Sequence, residues 1–449
     1  MKVASTLDRI GHFDAVEALP WNEVLSRTYA RLPKQLRYLT ETSSFYRQRI
    51  NLSEIESYAS PSTFSQIPMM DKDQERKNQE EAPPFGTHMC APEENLLSIQ
   101  ASSGTTGKPT FFGITAQDRK TWDRVVARSC WTAGMRPSDK VARLSTFSMF
   151  VGGLPAVSAV WSLGAAVIPI GSTAGTQTTL DYIERLRATV VTCTPSYAAH
   201  LLVAGGERLA KLHVELLILG GEPGAQIQSI RTRLSNGWQA GVRDVMGLGE
   251  IASGCWAECG YESGMHFTGQ EDVLVEIIDP KSRAALPWEQ GVTGELVYTA
   301  VEREATPVLR FRSHDHVEVV GTECPCGRTS PRIRVKGRVD DMFIVRGVNV
   351  FPTAVREVVS AQGPEFSGQL RIRLSEREGQ VTSPVAIDVE AGVDVSPDEF
   401  PRMKAQLEDA IRRQLVFRAS VQIVGPGVIP PTTHKTQYVV REVATDRGA

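Results

Sequence analysis

Residues 102–110, Ser-Ser-Gly-Thr-Thr-Gly-Lys-Pro-Thr, constrain this 449-residue chain more than any other stretch. Seven of the nine are small or hydroxylated and one is a lysine. So little side-chain bulk leaves backbone N–H groups free to approach a ligand. The hydroxyls and the ammonium add donors, a combination that suits a polyphosphate. A plain polar surface loop is the competing reading. The stretch is not a Walker A motif, because Ser102 stands where the first Gly belongs and Pro109 follows the lysine.

Composition sets the frame for that loop. The length suggests about three structural units. With 41% hydrophobic and 22% charged residues, the chain reads as an ordinary soluble globular protein. A net charge of −3 supplies no global field for nucleic acid or an anionic membrane. The first ten residues alternate charged and apolar types and form no signal-peptide core. Val151–Gly171 is apolar but broken by Gly152, Gly153, Gly164, Pro155 and Pro169, so it reads as loop, short helix and strand rather than a membrane span. The cytoplasm is the expected compartment. Seven cysteines, an odd number, favour reduced thiols or metal ligands over a disulfide framework.

Periodicity predicts a mostly helical first ninety residues, then alternating strands and helices. Ala165–Ile170, Val190–Cys193 and Val214–Leu219 read as buried strands, with helices at Leu180–Ala188 and Pro195–Ala204. That alternation predicts an α/β fold with parallel pairing. After Asp272 the short runs become β-rich. Beyond Asp340 a compact α+β unit is expected, with helices near Thr353–Ala361 and Pro397–Gln414. The expected domains are therefore 1–339 and 340–449.

The order of the glycine-threonine loop resembles the phosphate loop of adenylate-forming enzymes, which make acyl-AMP from a carboxylic acid and ATP. Its Lys-Pro-Thr ending is similar to the phenylacetate–CoA ligase branch. The resemblance implies that Ser102, Ser103, Gly104, Thr106, Gly107 and Lys108 hold ATP, with Thr105 among the catalytic residues. Further motifs follow in the family's order. Gly221-Glu222-Pro223 resembles the turn that borders the adenine and acyl sites. Met246-Gly247-Leu248-Gly249-Glu250 resembles a Tyr-Gly-x-Ser/Thr-Glu segment, which makes Glu250 the Mg²⁺ carboxylate and a catalytic residue. Here Met246 replaces the tyrosine and Gly249 the hydroxyl residue. Thr293–Thr299 and Arg310–Asp315 resemble two further family segments, and Asp315 matches the ribose carboxylate. Arg338 matches a nucleotide-contacting arginine, and Asp340 the hinge into the C-terminal domain. Arg346–Pro352 matches a signature after that hinge. Lys435 matches the lysine that serves adenylation, although His434 stands where glycine is usual.

The cysteines form a separate constellation. Cys259, His266, Cys324 and Cys326 make a complete Cys₃His set for structural zinc. Cys255 is a rival ligand, and some phenylacetate–CoA ligase relatives carry the same arrangement. Cys90, Cys130 and Cys193 read as small apolar packing residues.

The resemblance implies a large N-terminal α/β region with a β subdomain, followed by a small mobile α+β domain. It implies two half-reactions. ATP and Mg²⁺ activate a small aromatic acid, aryl or arylacetic, in a pocket drawing on Phe147, Met149, Phe150 and Gly153. Coenzyme A then takes the acyl group. A carrier-protein thiol or an amine as acceptor, or a non-catalytic ATP-binding relative, stay open as alternatives. The resemblance further implies a homodimer.

Overall fold

The computed structural model describes residues 9–102, 109–171, 174–345, 348–375, 380–381, 384–429 and 438–442. They form two compact units. The larger takes the chain up to Gly221, Leu234–Ser313 and Val317–Arg334. The smaller takes Glu222–Arg233, His314–His316 and the chain from Val335 onward.

Strands β1 (Leu96–Ser102) and β2 (Thr110–Thr115) pair as an antiparallel hairpin with Ser102 opposite Thr110. The next strands are β3 (Lys140–Ser145), β4 (Ala166–Gly171), β5 (Val190–Cys193), β6 (Leu216–Gly220) and β7 (Gly241–Leu248). They pair in parallel in the order β4-β3-β5-β6-β7. All four residues of β5 are buried, as in a strand covered on both faces. Helices at Thr176–Arg185 and Pro195–Gly205 lie between the strands, close to the expected ranges. Thr194 caps the second by accepting the Tyr197 N–H, and Pro195 needs no donor at the first helical position. The apolar Val151–Gly171 run becomes the ten-residue helix Leu154–Leu163 and edge strand β4. No described helix is long and apolar enough to cross a membrane.

The sheet turns antiparallel at β8 (Ala252–Glu258), about twenty residues before the sequence changes character. The turn from β7 is tight: a Cβ on Gly247 would lie 2.4 Å from the Ala252 carbonyl oxygen. The sheet continues through β9 (Met265–Phe267), β10 (Val273–Ile278), β11 (Thr293–Ala300), β12 (Phe311–Gly321) and β13 (Arg332–Arg338). Its eleven strands run β10-β11-β12-β13-β9-β8-β7-β6-β5-β3-β4.

The smaller unit carries its own core. Helices Pro352–Ala361 and Phe400–Leu415 lay Val355, Val359, Met403, Leu407 and Ile411 into a cluster with Ile372, Ile387 and Val389. The four-residue spacing of Met403, Leu407 and Ile411 gives one apolar helical stripe. The three sheet residues come from a four-stranded sheet built from Phe366–Ser375, Val385–Ala391, Ala419–Val424 and Val439–Glu442.

Candidate active site

The site in the larger unit is organised by a helix with almost no apolar residues, Lys72–Glu81. Asp71 caps it by accepting the Gln74 N–H at 3.0 Å. Lys72, Glu75 and Gln79 fall on one face at helical spacing. Gln79 docks that face on β2, donating to the Phe111 carbonyl at 2.6 Å and accepting the Phe111 N–H at 2.9 Å. A side-chain amide thus pairs with the strand as a neighbouring strand would.

Docking there sets Lys72 against one end of the β1–β2 hairpin, where β1 finishes and β2 begins. Its ammonium donates to the Ser102 and Thr110 hydroxyls and to the Glu250 carboxylate. Glu75 lies 3.2 Å away on the other side. Ser102 Oγ and Thr110 Oγ1 sit 2.9 Å apart, and Thr110 also donates to Glu75 at 3.3 Å. Glu250 enters because Gly249 permits it: a Cβ there would stand 3.1 Å from the Ser102 Cβ. The glycine in place of a hydroxyl residue is therefore the close-approach point between this turn and the phosphate-loop strand.

The charges respond to burial and to one another. Glu75 and Glu250 are almost wholly buried. Burial pushes the Glu75 carboxyl up to about 7, moderated by Lys72, with Glu250 adding to the rise. Burial also disfavours the Glu250 charge, but Lys72 outweighs it and holds Glu250 below the usual carboxylate range. Burial works against the Lys72 ammonium as well, and the two carboxylates keep its pKa above the ordinary lysine value. His88, buried behind Glu75, is pushed down to about 4 by desolvation and by Lys72.

The loop after β3 lies beside this cluster. The Ala101 N–H donates to the Met149 carbonyl at 2.9 Å, and Ala101 and Phe150 form a parallel bridge. Phe147 and Phe150 are half-buried, and Met149 is exposed. Gly153 is required where it stands, since a Cβ would come within 2.9 Å of the Thr146 carbonyl oxygen. Ser102, Glu250 and the Phe147–Gly153 loop therefore converge. Gly221 closes β6 in a left-handed conformation, φ +87°, facing Thr194. Met246 pairs across to Trp256.

In the smaller unit, Arg338 clasps Asp340 with two hydrogen bonds of 2.9 and 2.7 Å and reaches Asp315 at 3.5 Å. Burial opposes the Arg338 charge, but Asp315 and Asp340 together raise its pKa above the usual arginine value. Burial likewise works against Asp340, and the salt bridge holds it below the usual range. Glu222 is buried, and the Pro223 carbonyl accepts from Arg356. Ser103, Gly104, Thr105, Thr106, Gly107, Lys108 and Lys435 lie outside the described residues.

The cysteine set is brought together in the antiparallel half of the sheet. Cys259 follows β8, His266 sits in β9, and Cys324 and Cys326 lie on the β12–β13 connection. Strand β13 returns beside β9 with Arg332 opposite His266. The four ligand atoms all lie within 4.8 Å of one another. Cys259 Sγ and Cys324 Sγ are 3.7 Å apart, and Cys326 Sγ and His266 Nε2 are 3.5 Å apart. A tetrahedral zinc with bonds of about 2.3 Å to sulfur sets its sulfurs ~3.8 Å apart, so the donor set fits. Cys255 is buried and stands outside this cluster.

Sequence reading missed Lys72 and Glu75. The signal available was a charged run bracketed by prolines, Pro68 to Pro84, with an Asp cap and a polar stripe at helical spacing. The Glu295 and Arg312 segments carry no signal in sequence beyond the family resemblance. The structure gives them a local job, since Arg312 clasps Glu295 across β11 and β12 at 3.1 and 2.6 Å.

An α/β sheet, a phosphate-loop sequence that starts at Ser102, a buried acidic turn beside Ser102 and a second, α+β unit together mark the class of adenylate-forming enzymes. The chain belongs to the AMP-binding enzyme family, which matches residues 45–300, and the AMP-binding enzyme C-terminal domain matches residues 347–442. It is 31% identical to the phenylacetate–coenzyme A ligase of Thermus thermophilus, over 92% of this chain and 95% of that one. The Escherichia coli phenylacetate–coenzyme A ligase is 29% identical over 94% and 95% of the two chains. A crystal structure of 2-hydroxyisobutyryl-CoA ligase in the postadenylation state, in complex with R3-HIB-AMP, aligns with a TM-score of 0.86 at 27% identity, covering 95% of this chain and 91% of that one.

Proposed function

We propose that this protein is an AMP-forming acid–thiol ligase that activates an aryl or arylacetic acid and passes the acyl group to coenzyme A. The acid's carboxylate oxygen bonds to the α-phosphorus of ATP, and pyrophosphate leaves. The thiol sulfur of coenzyme A then attacks the acyl carbon, and AMP leaves. The observation that carries this reading is the convergence of Ser102, Glu250 and Lys72 where β1 runs into the phosphate-loop sequence.

Each residue then has a task. Ser102 and the loop through Lys108 take the β- and γ-phosphates. Lys72 presents positive charge at the base of that loop, and Glu75 balances it from behind. Glu250 would supply a carboxylate oxygen to Mg²⁺, with phosphate and water oxygens completing the shell, because Lys72 already engages the Ser102 and Thr110 hydroxyls and Glu250 Oε1. Bound there, Mg²⁺ would neutralise phosphate charge. Asp315 takes the ribose hydroxyls, since a carboxylate accepts one hydrogen bond on each oxygen. Arg338 reaches the nucleotide, and Asp340 is the hinge. Lys435 bridges the attacking carboxylate and the α-phosphate in the first half-reaction. Phe147, Phe150 and Met149 offer a flat apolar face to an aromatic ring.

The Cys₃His set is a closed four-ligand zinc site with no open position, so its metal is structural. The protein would work as a homodimer in the cytoplasm, a compartment that keeps thiols reduced. A thiol-acceptor assay tests the acyl transfer. With phenylacetate and ATP, coenzyme A should yield the thioester with AMP. Faster transfer to a phosphopantetheinylated carrier protein, or to an amine, would move the acceptor assignment away from coenzyme A.

A further inference from the structure

Beside the loop assigned to the acid, Arg143 stands without a counter-charge. It lies near the carboxyl end of β3, on the same strand face as Val141 and Ser145. One of its donors goes to the Gly152 carbonyl, within the Phe147–Gly153 loop. Its Nε is shut from solvent and has no acceptor. Among the described residues no carboxylate pairs with it. Burial lowers its pKa, and the nearby Cys130 and Cys193 thiols offset the fall only in part.

The neighbours repeat the pattern. Thr192 lies directly across from Arg143 on β5, and its hydroxyl is buried without a partner. The Ser145 and Ser148 hydroxyls are buried and unpartnered as well. A half-buried guanidinium with its Nε shut from solvent and no anion beside it is costly, and so is each unmatched buried hydroxyl. A bound group that supplies oxygen acceptors removes these costs together.

We infer that Arg143, with Ser145, Ser148 and Thr192, forms a polar subsite for a second oxygen-bearing group on the acid, a carboxylate being the best match. The activated carboxylate would lie on the Ser102 side of the Phe147–Gly153 loop. The second group would reach Arg143 beyond the Phe147–Gly153 loop. This inference rests on the acid-activating function proposed above and narrows its substrate class to acids with a second hydrogen-bond acceptor.

The test compares phenylacetate with its ring-carboxylated and ring-hydroxylated forms, in wild type and in Arg143→Met and Arg143→Lys, by kcat/KM for AMP release. Wild type should prefer at least one carboxylated acid by tenfold or more. Arg143→Met should cost the preferred carboxylated acid at least tenfold more than it costs phenylacetate, and Arg143→Lys should retain part of the preference. Kinetics within twofold for all acids in wild type would overturn the inference, whether or not the variants fold. A loss in Arg143→Met that is equal for every acid would overturn it too, by assigning Arg143 to the loop alone. Failure of every acid to release AMP would instead remove the acid-activating function, and the subsite with it.

Discussion

Replacing Lys72 by Met leaves two buried carboxylates facing each other with no cation between them. Glu75 and Glu250 have side chains only 1% and 3% exposed, while that of Lys72 is 20% exposed. Removing one partner of a buried pair costs about 3–5 kcal/mol, and the partial exposure of Lys72 favours the lower end, about 3 kcal/mol. For a unit of this size this is a melting shift of roughly 4–5 °C. The cost must depend on pH. Without Lys72, one carboxyl has a folded pKa far above its unfolded value. Its charge cost is absent below that unfolded value, near 4.5, and grows as pH rises through the folded pKa. Thermal unfolding of Lys72→Met should therefore show a small deficit at pH 5 and a large one at pH 8. The double variant Lys72→Met/Glu75→Gln should regain part of the stability at pH 8, since only Glu250 then keeps a buried unpaired carboxyl, yet stay inactive in pyrophosphate exchange. A deficit equal at both pH values would refute the charge argument and leave only lost packing. Wild-type exchange in Lys72→Met would remove Lys72 from the phosphate site.

Three further outcomes are expected. In the wild type, the Glu75 carboxyl is raised to about 7, so the folded state holds its proton longer than the unfolded chain; stability from this group is present below about 4.5 and lost as pH climbs through 7. Glu75→Gln should accordingly gain relative to wild type between pH 5 and pH 8, and a flat difference would contradict the raised value. Lys435→Ala should abolish acyl-adenylate formation yet spare thioester formation from supplied acyl-AMP; equal loss of both half-reactions would count against separate roles. Metal analysis should find one zinc per chain, and Cys324→Ser/Cys326→Ser should lose it and melt lower while Cys90→Ser does neither; protein prepared without chelator that holds no zinc would remove the site.

Local sequence carried much of the fold because its signals are local. Val190–Cys193 is buried at every residue, and Pro195 with Thr194 marks a helix start within a few positions. The helix over Pro352–Ala361 is likewise set by a proline and an apolar stripe. Lys72 was not legible in this way. Apart from Glu75 one helical turn on, its contacts are 30, 38 and 178 residues away, and its helix has no apolar periodicity to predict a buried face. The helix docks through the Gln79 amide instead. The Arg143 subsite was hidden for a related reason. A strand arginine reads as solvated until parallel pairing with β5 and the Gly152 contact enclose it. The zinc set was legible as four residue types, but their meeting depends on β13 returning beside β9.

The most direct test of the central claim is carboxylate-dependent exchange of labelled pyrophosphate into ATP by the purified protein, without coenzyme A. Exchange should require an aryl or arylacetic acid and Mg²⁺, and should fall to background in Lys108→Ala at limiting ATP. Exchange that proceeds without any acid, or its absence across a full panel of aromatic acids while ATP still binds, would contradict an acid-activating enzyme.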